Sequence, residues 1–138
     1  MATARNSARP MSPHLQVWKW GPHMLVSILH RVTGSGLATV GTVALVWWLA
    51  AMAAGKEAYA GFLDLLTTAD GRLNIVGWVL GVGLSWAFFQ HLANGIRHLF
   101  MDLGANFELK ANRASSIATI VLSLLATAAL WAYICWGR

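Results

Sequence analysis

The sequence predicts an all-α integral membrane protein of three transmembrane helices, and three observations carry that expectation. Only 11% of the 138 residues are charged and 57% are hydrophobic, with a mean hydropathy of +0.56; ordinary soluble domains carry about 25% charged residues. The charges are also segregated. Val32 to Gly55, Leu73 to Ile96 and Ala114 to Gly137 contain no Asp, Glu, Lys or Arg, each over about 24 residues, where roughly 20 suffice to cross a bilayer core as a helix. Finally, Trp47, Trp48, Trp78, Trp131 and Trp136 fall towards one set of span ends, as an interfacial aromatic belt does. A soluble protein can bury one helix this apolar, but rarely three of this length.

Met1 to Ser12 is polar, carries Arg5 and Arg9 and lacks an apolar run, so it reads as neither a secretory signal nor an extended Arg/Ser-rich leader. Insertion is expected to be directed by the first span. Pro10 and Pro13 make residues 1–21 an extended, turn-rich arm, and Gly21-Pro22 opens the first helix, because proline suits the first helical position. Residues 22–138 then form one membrane anchor domain, with spans expected at about 22–54, 73–103 and 114–137. Between the first two spans, Tyr59, Phe62, Leu63 and Leu66 follow the i, i+3, i+4, i+7 pattern, which predicts a short amphipathic helix lying on the outer surface. The second connection, Asp102 to Arg113, is short and polar, so spans two and three should be antiparallel neighbours. Small residues at four-residue spacing, namely Gly77, Gly81 and Ser85, then Ser115, Thr119, Ser123 and Thr127, suit close helix approach in lipid. Gly81-Val82-Gly83 has no strand before it and is not read as a nucleotide fingerprint. Cys135 is the only cysteine, so no intrachain disulfide is expected.

The net charge of +5 is a topology signal rather than a sign of nucleic-acid binding. Arg5, Arg9, Lys19 and Arg31 precede or open the first span, and Arg97, Lys110 and Arg113 lie at the second-to-third connection; the other side has Lys56, Arg72 and Arg138. Seven against three puts the N-terminus in the cytoplasm.

The residues that point to chemistry are polar ones where lipid makes them expensive. His91 lies about five residues inside the second span, roughly 8 Å at 1.5 Å of rise per residue, and ionisable groups there are functional candidates. Gly95, His98 and Asp102 follow it on the same helix face, and Gly95 removes side-chain bulk where a flat macrocycle could lie. Neutral imidazole is a standard axial ligand of haem iron; the plainer reading is a histidine hydrogen-bonded to a neighbouring helix. Only one histidine has this depth, so bis-histidine ligation would need a second from another chain. On the first helix, Ser27, His30 and Arg31 share a face. A hydroxyl and a guanidinium there suit a carbonyl, phenol or carboxylate oxygen; the alternatives are an arginine reaching the headgroups and a serine bonded to its own helix.

Two runs then carry a resemblance. Arg9-Pro10-Met11-Ser12-Pro13-His14-Leu15, with Ser27-Ile28-Leu29-His30-Arg31-Val32-Thr33-Gly34, looks like the first signature of the cytochrome b subunits of succinate dehydrogenase. His91-Leu92-Ala93-Asn94-Gly95-Ile96-Arg97-His98-Leu99-Phe100-Met101-Asp102-Leu103-Gly104 resembles the second. The resemblance implies a membrane anchor within a heteromeric helical bundle, partnered by a flavoprotein, an iron–sulfur protein and a second anchor chain. It implies haem b shared with that companion, with His91 an axial ligand and His30, Arg31, Gly95 and His98 around the haem and its propionates. It also implies ubiquinone as substrate, met by Ser27, Ile28 and Arg31, and a place as a multi-pass protein of a bacterial inner membrane. On this reading the chain is an enzyme only as a subunit of succinate dehydrogenase. The competing readings are a quinol:fumarate reductase anchor and a purely structural anchor without haem or quinone contact. A transporter is disfavoured by the lack of an internal repeat or midplane broken helix.

Overall fold

A computed structural model describes residues 10–137; Arg5, Arg9 and Arg138 of the charge count, and the first residue of the first motif, lie outside them. A 3-10 turn at His14–Val17 precedes four helices: α1, Pro22–Ala54; α2, Lys56–Leu66; α3, Ile75–Asp102; and α4, Leu109–Trp136. Three of them, α1, α3 and α4, are long and apolar enough to cross a membrane. The described residues contain no strand, only an isolated antiparallel bridge between Thr67 and Leu73. This is an all-α membrane protein.

Helix α1 starts at Pro22 after an extended Gly21 and is interrupted once, by a π-helical turn at Leu37–Gly41. Hydroxyls cluster around that turn and bond to the backbone: Thr33 Oγ1 donates to the Leu29 carbonyl at 2.7 Å, Thr39 to Ser35 at 2.7 Å and Thr42 to Leu37 at 3.4 Å. Such back-bonding loosens a helix locally and re-satisfies carbonyls that lipid cannot. The segment before the π turn packs on α3 and α4, whereas the segment after it packs on α2. Gly55 ends the helix at φ +102°, a conformation open to glycine because it has no Cβ, and α2 begins at once.

The pattern of α2 is realised as an apolar face against α1. Phe62 is buried, with its ring edge-on to Trp47 at 5.1 Å. Asn74 ties the end of α2 to the start of α3. Asn74 Oδ1 accepts from the Gly77 amide at 2.9 Å, while its Nδ2 donates to the carbonyls of Leu65 at 2.8 Å and Thr67 at 3.4 Å. It therefore caps the start of one helix and satisfies the end of the other. Gly77 packs directly against the Leu66 carbonyl, leaving no room for a β-carbon.

The interior lies between α3 and α4, and it is polar. Gln90, Asn94 and Arg97 of α3 are buried against Ser116, Thr119, Ser123 and Thr127 of α4, while Val79, Leu122 and Leu125 point outward. In lipid there is no hydrophobic force to bring helices together, so small and hydrogen-bonding residues take the contact and apolar ones face the acyl chains. The α4 hydroxyls bond to their own backbone, as Thr119 to Ser116 and Thr127 to Ser123, both at 2.8 Å. The small residues of α3 serve a neighbour: Gly81 makes room for the Trp131 ring, and Ser85 Oγ accepts from Trp131 Nε1 at 3.0 Å. Helix α4 begins at Leu109, ahead of the charge-free run, so Lys110 and Arg113 occupy its first turns.

Candidate functional site

The antiparallel contact of α1 with α3 brings the start of one against the end of the other. His30 of α1 meets both histidines of α3 there. Its ring stacks on that of His91 at 3.9 Å between centroids and 6° between planes, and lies 5.3 Å from that of His98 at 51°. Nδ1 of His30 is buried without a hydrogen-bond partner.

His91 is half-buried and held on one side. Its Nδ1 lies 3.2 Å from the backbone carbonyl of His30 and 3.4 Å from Thr33 Oγ1. A carbonyl only accepts, so this contact assigns the ring proton to Nδ1 and leaves a lone pair on Nε2. Nε2 has no hydrogen-bond partner among the described residues. Gly34 is what lets the ring lie so close to α1: a β-carbon there would stand 2.8 Å from His91 Cε1. One turn along α3, a β-carbon on Gly95 would meet nothing within 4 Å, and His98 and Asp102 beyond it are exposed. Towards the middle of the bundle, the α1–α3 seam forms an apolar groove of about 300 Å³ lined by Thr33, Gly36, Val40, Leu80, Gly83 and Trp86.

Ser27, Ile28 and Arg31 sit on α1 beside this cluster, and all three are exposed. Neither the Ser27 hydroxyl nor the Arg31 guanidinium has a hydrogen-bond partner among the described residues. The chain thus brings His30, His91 and His98 together around one seam, but leaves Ser27, Ile28 and Arg31 open on its flank.

Sequence reasoning missed a second constellation. It counted Arg97 among the charges of the second connection, whereas the structure buries this residue inside α3, 7% exposed. Its Nε donates to Ser115 Oγ at 3.1 Å, its Nη2 to Asn112 Oδ1 at 3.0 Å and its Nη1 to Asn94 Oδ1 at 3.5 Å. Asn112 Nδ2 in turn donates to the Asn106 carbonyl at 3.0 Å, which closes the connection between α3 and α4. Gln90 and Asn94 continue the buried row, and Ser123 meets Gln90 at 2.7 Å. The available signal was Gln90, Asn94 and Arg97 at i, i+4 and i+7, a polar face at helical period inside a span.

Comparison with known proteins accords with this architecture. The family model described as succinate dehydrogenase/fumarate reductase transmembrane subunit matches residues 5–130. The succinate dehydrogenase cytochrome b556 subunit of Rickettsia felis is 37% identical over 123 residues, covering 89% of this chain and 90% of that protein. That of Paracoccus denitrificans is 36% identical over 126 residues, covering 91% of each. The mitochondrial succinate dehydrogenase cytochrome b560 subunit of Mus musculus is 36% identical over 126 residues, covering 91% of this chain and 71% of the mouse protein. With three span-length helices and a match over most of its length, the chain belongs to the family of succinate dehydrogenase/fumarate reductase transmembrane subunits.

Proposed function

We propose that this chain is the haem b- and quinone-contacting anchor of a succinate:ubiquinone oxidoreductase. The observation that carries the reading is the state of His91: Nδ1 engaged by the His30 carbonyl, Nε2 unpaired, and open space at Gly95 beside it. A backbone acceptor behind an imidazole fixes its tautomer and raises its basicity, the usual support of a metal-ligating histidine. An imidazole held at Nδ1 with Nε2 free, next to the orphaned Nδ1 of His30 and one turn from the small Gly95, fits an axial ligand of haem iron. His91 would be its axial ligand, and the second ligand would come from the companion anchor chain. His98, His30 and Arg31 would line the pocket, with Arg31 and His30 beside the propionates. When bound, haem b takes up and releases one electron at a time.

Ser27, Ile28 and Arg31 would form this chain's share of the quinone site, completed by partner chains over the exposed flank. Ubiquinone receives two electrons from the iron–sulfur subunit and two protons from water to become the quinol. Ser27 can donate to one quinone oxygen. The guanidinium of Arg31 draws negative charge onto the other, more strongly once partner chains exclude water and lower the local dielectric. The flavoprotein and iron–sulfur subunits would dock at this end of the bundle, with residues 1–21 as a cytoplasmic arm and residues 22–138 as the anchor domain in this reading. The Lys/Arg asymmetry supports a cytoplasmic position for that end, and the chain would be a multi-pass protein of a bacterial inner membrane. A reduced-minus-oxidised optical spectrum of the purified complex tests the reading. The wild type should give a b-type, low-spin signal and His91→Leu should lose or perturb it; an unchanged spectrum in His91→Leu refutes the ligand assignment.

A further inference from the structure

Arg97 is the one ionised side chain that is buried among the described residues, and its partners Ser115, Asn112 and Asn94 are all neutral. Tying α3 to the start of α4 requires donors, not a charge. Burying a cation without a counter-ion is costly, and a guanidinium does not escape that cost by deprotonating. The same isolation gives the charge its reach. Among the described residues no carboxylate bonds to it, and it is only 7% exposed, so its field is weakly screened. Arg97 follows His91 by six residues on one helix, which is about 9 Å of rise.

We infer that Arg97 sets the electric field at the redox end of the bundle, its fixed positive charge favouring the reduced form of the haem held at His91. The inference rests on the haem reading above. Reduction adds one electron, supplied by the soluble arm or by a mediator dye, and so adds one negative charge near His91. A unit charge about 9 Å away, at an effective dielectric of about 20, changes such an equilibrium by about twentyfold. Arg97 touches neither haem nor quinone in this proposal and acts only through its field. It also gives the polar row between α3 and α4 a purpose beyond holding the helices together, since Asn94 and Asn112 keep the guanidinium in the interior.

Redox titration of the haem in the intact complex, followed optically with mediator dyes, tests this without any turnover. Arg97→Gln should lower the haem's reduction equilibrium constant about twentyfold, which for a one-electron couple is about 77 mV. Arg97→Lys, which keeps the charge and loses the fork, should stay near wild type. Asn112→Asp places a carboxylate where Asn112 Oδ1 now lies 3.0 Å from Nη2; it should lower the potential in the same direction while tightening the clamp. That variant decides the matter even if Arg97→Gln does not assemble. Equal shifts in the Gln and Lys variants, or an unshifted potential in haem-replete Asn112→Asp, would overturn the inference alone. Absence of a b-type spectrum in the wild type would overturn the haem reading and this inference with it.

Discussion

Replacing Gly34 by alanine should strip the candidate ligand of its support while leaving the fold intact. A β-carbon on Gly34 stands 2.8 Å from Cε1 and 3.3 Å from Nδ1 of His91, so the ring must retreat by about 0.6 Å to reach the 3.4 Å of ordinary contact. A retreat of that size along the bond takes the separation of Nδ1 from the His30 carbonyl from 3.2 Å to as much as about 3.8 Å, beyond hydrogen-bond range. Such a bond is worth about 0.5–1.5 kcal/mol to stability, and loss of an outer-shell partner typically weakens a metal site about 10–100-fold. The matched control is Gly36→Ala on the same helix, where a β-carbon meets nothing within 4 Å. Both variants share the roughly 0.5–1 kcal/mol that alanine gains over glycine in a helix, so their difference isolates the clash. Haem content per purified complex, together with the low-spin electron paramagnetic resonance lines, is the measurement. Gly34→Ala should bind less haem, or bind it with altered lines, and Gly36→Ala should match the wild type. Equal haem content and identical lines in the two variants would refute the argument that Gly34 exists to seat His91.

Two further expectations concern the exposed flank and the orientation. Arg31→Leu should reduce quinone-dependent activity by about tenfold or more and Ser27→Ala by only a few-fold, since a charged donor contributes about 1.5–3 kcal/mol and a neutral one about 0.5–1.5. Arg31→Lys should rescue only in part, for want of the planar fork. Activity with an artificial acceptor at the soluble arm should hold in each assembled variant, and an unchanged ratio of the two activities would remove these residues from the quinone site. For orientation, single cysteines at Ala58 and Glu108, introduced after replacing the exposed Cys135, should label from opposite sides of the membrane. Labelling of both from one side would contradict the three-span topology.

The division between what is local and what is not explains how much of this could be read without coordinates. Span-length helices follow from charge-free runs, because the penalty for a charge in lipid acts on each residue wherever its neighbours are. Helix α2 was legible for the same reason: Tyr59, Phe62, Leu63 and Leu66 define an apolar face by spacing alone, and the observed helix covers all four. That His91, Gly95, His98 and Asp102 share a face also needs only the helical period. Which face meets which neighbour is another matter, because rotation of a helix about its axis is settled by competition among all its faces for partners. Gln90, Asn94 and Arg97 are buried against α4, which exposes the histidine face to α1 and turns Arg97 from a boundary charge into an interior one. The same contact selects Ser116 for the interior and leaves Ser115 to receive the guanidinium. The π turn at Leu37–Gly41 has no periodic signature, since it depends on hydroxyls choosing particular carbonyls. The proton of His91 is likewise a tertiary decision, made by a carbonyl 61 positions away in sequence. The sequence alone determined which segments leave water; only the packing of those segments decided which polar groups each would shelter, because lipid penalises every unpaired polar group but does not specify its partner.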